Sequence, residues 1–84
     1  MALKIDWSDD ARADIRALDR PTAMFVFDGV LRYASSGHGD VISLHCPLHG
    51  RLRLRVGDYR IFFSPIGDRL RIHAVKNRRE AYRG

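Results

Sequence analysis

A single cysteine, Cys46, excludes a disulfide within the chain. No apolar run approaches the roughly 20 residues that a membrane helix needs. The opening stretch, "MALKIDWSDD", lacks a secretory apolar segment, and its acids come early. These shortages point to a cytoplasmic protein. Repeats and low-complexity tracts are absent as well. Acids are scarce in the second half, where residues 51–84 carry three against ten Lys and Arg, a net of +7. Residues 1–50 carry seven acids against five Lys and Arg, a net of −2. A basic half of this kind calls for an anionic partner, either nucleic acid or an acidic protein segment.

What is present is enough for one small core. The chain has 84 residues, 45% of them hydrophobic, which is too many for a disordered segment. One domain spanning residues 1–84 is expected, with modest stability. Residues 3–7, "LKIDW", alternate like a short strand. Ser8 then reads as a helix N-cap, with Asp9 and Asp10 in the first turn facing the positive helix end. Ala11, Ile15 and Leu18 recur at helical spacing, and Pro21 stops or redirects that helix. A second helix is expected over residues 21–34. Met24, Phe27, Leu31 and Ala34 form its core-facing stripe, widened by Phe25, Val26 and Val30. Gly29 costs about 1 kcal/mol inside a helix, which suggests close packing against a neighbour.

From residue 41 the period changes from helical to alternating. "VISLH" (41–45) reads as a strand ended by Pro47. "RLRLRV" and "YRIFFS" flank Gly57-Asp58, a two-residue hairpin signal. A second turn, "PIGD", leads to "RLRIHAV" (69–75). The coarse order is β-α-α-β-β-β, an α+β fold with two N-terminal helices packed on an antiparallel, twisted sheet.

The hairpin sets the faces. Val56 is placed opposite Tyr59, Arg55 opposite Arg60, Leu54 opposite Ile61, Arg53 opposite Phe62 and Leu52 opposite Phe63. Leu52, Leu54, Val56, Tyr59, Ile61 and Phe63 then share the core face. Arg51, Arg53, Arg55, Arg60 and Phe62 share the other. In the last strand Leu70, Ile72 and Ala74 are expected on the core side, with Arg71, His73 and Val75 outward. Like charges directly opposite one another are destabilising unless solvent screens them or an anion sits between. A phosphate between Arg55 and Arg60 would turn repulsion into a charge-assisted clamp. Phe62 either stacks on a base or packs under a loop. The tail "KNRREAYRG" (76–84) adds Lys76, Arg78, Arg79, Tyr82 and Arg83.

"LHGRLRLRVGDYRIFF" followed by "LRIHAVKNRREAY" resembles the RelE/ParE superfamily of bacterial toxins from type II toxin–antitoxin systems. "IDWSDDARADIRALDRP" is similar to the family's opening strand and helix, so the resemblance spans nearly the whole chain. It implies the RelE-like fold and a cognate antitoxin as partner. It also implies one of two activities. RelE-like members cut messenger RNA on the ribosome, and ParE-like members inhibit DNA gyrase. A third reading is a non-catalytic basic binding module. The RelE-like basic set matches Arg51, Arg53, Arg60, Arg78 and Tyr82, with Arg55 and Arg79 as further contacts, and it favours RNA cleavage.

The expected reaction needs neither metal nor cofactor. The RNA 2′-OH attacks the adjacent phosphate. Arg60 and Arg78 face the charge of the transition state. Arg51, Arg53, Arg55 and Arg79 hold flanking phosphates. Tyr82 stacks on a base or serves as general base. Some RelE-like members have lysines where Arg51 and Arg53 stand. Arginine does not exchange protons near neutral pH, so the general acid and base stay open, with His73 a rival proton carrier. His45, Cys46 and His49 read as a loop around Pro47, not as metal ligands.

Overall fold

Ser8 is where the chain turns from sheet to helix. In the computed structural model, which describes residues 3–43 and 51–77, strand β1 spans Lys4–Trp7 and helix α1 spans Asp9–Arg16. The Ser8 hydroxyl accepts from the Ala11 amide at 3.1 Å, satisfying one of the free N–H groups of the first turn. Asp9 and Asp10 lie in that turn and Arg16 in the last, each complementing the helix dipole. Asp19 caps α2 (Arg20–Ser36) in the same way, taking the Thr22 amide at 3.1 Å and its hydroxyl at 2.7 Å. The Thr22 hydroxyl, and then its amide, hold the Asp19 carboxyl below its ordinary value. Pro21 falls in the first turn of α2, where no backbone N–H is needed, so it starts this helix.

Four strands follow: β2 (Asp40–Ser43), β3 (Leu52–Val56), β4 (Tyr59–Ile66) and β5 (Arg69–Asn77). All four fall on stretches that the sequence marks as strands, and the coarse order β-α-α-β-β-β counts one too few. The spatial order is β1-β5-β4-β3-β2. All neighbours are antiparallel except β1, which runs parallel to β5 in register Ile5 to Leu70 and Trp7 to Ile72. Both helices separate β1 from the rest, and that length of chain permits a parallel return. The two-residue turn at Gly57-Asp58 gives β3 and β4 the expected register, pair for pair. Gly57 has φ +59°, the left-handed conformation such hairpin turns require.

The core lies between the helices and one sheet face. Leu54, Ile61, Phe63, Leu70 and Ile72 are buried from the sheet, with Val26, Val30 and Ala34 from α2 and Ala11 from α1. Tyr33 tilts against Phe63 with ring centroids 5.3 Å apart. The face of α2 differs from expectation. Val26, Val30 and Ala34 meet the sheet, while Met24, Phe25, Phe27 and Leu31 stay exposed. The sheet-facing row is the one with small side chains. A Cβ added at Gly29 would lie 2.7 Å from both Val56 methyls, so helix and strand approach as closely as a glycine allows. Phe27 instead stacks on Trp7, with centroids 5.8 Å apart.

A second departure is in β5. Phe62 pairs with Ala74 and Phe63 with Ile72, so His73 has no partner on β4. This bulge changes the phase of the strand. Ala74 moves to the outer face opposite Phe62, and Val75 enters the core at 5% exposure. Alternation alone had assigned these two the other way. Asp14 of α1 accepts the Val75 amide at 2.9 Å, covering β5 beyond the reach of β1. Among the described residues, no helix is long and apolar enough to cross a membrane.

Candidate nucleic-acid interface

The hairpin register places Arg53, Arg55, Arg60 and Phe62 on the sheet face turned away from the helices. Arg51 immediately precedes β3 and continues the row. Arg55 lies directly opposite Arg60, and Lys76 of β5 flanks Arg60 on its other side. Phe62, half-buried, sits between Arg53 and Ala74. Three strands therefore converge on Arg60.

The burial of Arg60 is the feature that alternation did not foresee. It is 4% exposed, the one charged side chain so enclosed among the described residues. Its Nη1 donates to the Tyr59 carbonyl at a long 3.4 Å, and its Nε is buried with no hydrogen-bond partner. A guanidinium in that position has lost most of its water and, among the described residues, has no ion-pair partner. Such a group costs several kcal/mol, on the order of the desolvation penalty of a buried ion.

Two acids near this face are engaged with other cations. Asp14 takes Lys76 at 3.2 Å, and Asp6 takes Arg71 at 2.9 Å. Among the described residues, no ion pair engages Arg51, Arg53, Arg55 or Arg60. Arg55 makes only a 3.5 Å contact from Nε to the Gly57 carbonyl. Asp40 of β2 stands opposite Arg55 in the register but makes no ion pair with it, so among the described residues the arginines and Phe62 of this face keep their charges and ring free of acid partners. An extended anion with regularly spaced charges and flat groups matches that chemistry.

Arg78, Arg79 and Tyr82 lie outside the described residues, as do His45, Cys46 and His49. Among the described residues, no three His, Cys, Asp or Glu side chains are grouped to hold a metal ion. Sequence reasoning missed two members of this face. Ser64 reaches His73, Oγ to Nε2 at 2.8 Å, and Lys76 stands beside Arg60. The bulge hid Lys76, because unbroken alternation puts it on the core side; Ser64, two residues after Phe62, lies outward by alternation alone. The His73 imidazole is held below its ordinary value of 6.5, first by burial, then by the charges of Arg51 and Arg71.

No protein-family model matches the chain, and no curated protein matches it. Solved structures do. The toxin–antitoxin complex RelBE2 from Mycobacterium tuberculosis aligns with a TM-score of 0.83 at 18% identity, over 92% of this chain and 92% of that one. The archaeal RelE–RelB complex from Pyrococcus horikoshii OT3 gives 0.75 at 20% identity, over 93% and 97%. YafQ from E. coli strain BL21(DE3) gives 0.65 at 12% identity, over 95% and 98%. The chain has the RelE-type fold, two helices on a five-stranded mixed sheet. At these identities the likeness is one of fold.

Proposed function

We propose that the chain is the toxin of a type II toxin–antitoxin system and an endoribonuclease that cuts messenger RNA on the ribosome. The observation that carries this reading is Arg60, enclosed to 4% exposure with an unpartnered Nε and, among the described residues, without an ion pair to itself or to Arg55 opposite it. The RelE-type fold and the basic outer face support it. A cognate antitoxin is the expected protein partner, since two of the similar structures are toxin–antitoxin complexes.

The reaction is a transesterification. The RNA 2′-oxygen forms a bond to the adjacent phosphorus, and the bond from phosphorus to the 5′-oxygen breaks. A 2′,3′-cyclic phosphate and a 5′-hydroxyl result. The proton leaves the 2′-OH and is returned to the departing 5′-oxygen. Arg60, with Arg78, opposes the charge that gathers on the phosphorane oxygens. It is already stripped of water, so little reorganisation accompanies the reaction. Arg51, Arg53, Arg55 and Arg79 hold flanking phosphates, and Phe62 offers a ring for a base. Tyr82 stacks on a base or takes the 2′-OH proton. A ribosome-bound message supplies orientation, which is a large share of the barrier.

The test is induction in a bacterial host followed by mapping of RNA ends. Fresh cuts within translated codons, lost with Arg60→Ala in a protein that stays folded, are the expected result. DNA damage without such cuts would instead indicate a gyrase-directed toxin. Growth without arrest would indicate a binding module. Full toxicity of Arg60→Ala would remove that residue from the mechanism.

A further inference from the structure

The outer face carries a second cluster, separate from Arg60. Arg51, Ser64 and His73 meet where β3 begins, β4 nears its end and β5 bulges. One step beyond the pair Leu52 and Phe63, the register directs Arg51 toward Ser64. The Ser64 hydroxyl and His73 Nε2 are 2.8 Å apart. His73 sits at the bulge, without a partner on β4, and the Ser8 hydroxyl pins its backbone by donating to the His73 carbonyl at 3.0 Å. Three elements therefore hold one imidazole and one hydroxyl in fixed relation beside a cation.

The charges around His73 are unbalanced. Arg71 of β5 is engaged by Asp6 of β1 at 2.9 Å. Asp14 of α1 faces Val75 and Lys76, not the ring. Arg51 has no ion pair among the described residues. An imidazole, a hydroxyl and a guanidinium together offer hydrogen-bond donors that suit a phosphodiester. Phe62 lies between Arg60 and Ser64 on the same face of β4. The strand thus presents a cation, then a ring, then a second donor cluster. That alternation favours a nucleic-acid strand over an acidic peptide, which has no base to stack.

We propose that Arg51, Ser64 and His73 form a second phosphate-binding subsite, which holds the backbone of single-stranded RNA a few nucleotides from the phosphate at Arg60. Four residues along β4, at about 3.3 Å each, separate the two positions by about 13 Å. Binding of the anion stabilises the protonated ring, so by linkage the complex tightens as pH falls. The proposal rests on RNA as the ligand of this face, but not on its cleavage.

The experiment uses the full chain and a short 2′-O-methyl RNA, which cannot undergo 2′-OH attack. Affinity is measured by fluorescence anisotropy from pH 8 down to pH 5, and against salt concentration. The wild type is expected to bind more tightly at the acid end. His73→Gln should flatten that dependence. Ser64→Ala should weaken binding several-fold at every pH. Arg51→Gln should lower the salt slope by about one. Circular dichroism confirms that each variant is folded. An unchanged pH profile in His73→Gln, or an unchanged slope in Arg51→Gln, would overturn the subsite. So would a polyglutamate peptide of equal charge that binds with the same dependence on both residues. Failure to cut message in cells, with these binding results intact, would overturn the ribonuclease reading alone.

Discussion

The two faces of the β3–β4–β5 sheet come from the same alternating stretch of chain, yet they solve opposite problems. On the inner face, Leu54, Ile61, Phe63 and Ile72 reach 0–2% exposure against Val26 and Val30 of α2. That side is complete within the chain. On the outer face, Arg60 is as enclosed as a core residue but has one long hydrogen bond. That side leaves Arg60 Nε buried without a partner among the described residues. The difference teaches that burial alone does not mark a core residue. What marks one is burial with every polar group answered.

Three measurements would break or sharpen this contrast. The largest effect belongs to the inner face. Phe63→Ala should lower unfolding stability by about 3–5 kcal/mol in urea titration, since it removes the largest fully buried side chain and leaves a cavity. A small loss would mean that the sheet packs loosely on the helices.

The next effect has the opposite sign. Arg60→Met should raise stability by about 1–3 kcal/mol, because it replaces an unanswered buried charge with an apolar chain of similar length. The same change should abolish toxicity. A protein that loses stability with this change has a partner for Arg60 within the folded chain, and the contrast between the faces would then fail.

The smallest effect is in pH. In the unfolded chain His73 takes a proton near 6.5, and in the folded chain only at lower pH. The unfolded state therefore binds more protons across the window just below 6.5. Stability attributable to His73 is present above 6.5 and is lost as pH falls toward the folded value. The slope should be shallow, because the ring is only partly enclosed, and it should vanish in His73→Gln. Melting temperatures at a series of pH values, compared between the two proteins, provide the check.

Much of this was legible in one dimension. Gly57-Asp58 is a two-residue turn, and a turn of known length leaves no freedom in register. Every pair from Val56 and Tyr59 to Leu52 and Phe63 followed from it. The caps at Ser8 and the Pro21 boundary were legible for the same reason, since each depends on a few adjacent residues. The sheet-facing side of α2 was not. Met24, Phe27 and Leu31 fit helical spacing as well as Val26, Val30 and Ala34 do. The choice between them went to the row whose small side chains let Gly29 approach Val56. The exchange of Ala74 and Val75 was equally hidden, because a bulge leaves no local signature at His73.

By itself the sequence determined the helix starts, the hairpin register and the gathering of arginines on one side of a sheet. These are local consequences of backbone sterics, capping and the two-residue period of a strand. Tertiary structure alone decided that Arg60 would be enclosed with no ion pair among the described residues, and that Ser64 would meet His73. Enclosure and pairing depend on which distant segments come to lie against a side chain, and on which acids are drawn off to other partners. No spacing along the chain encodes that outcome.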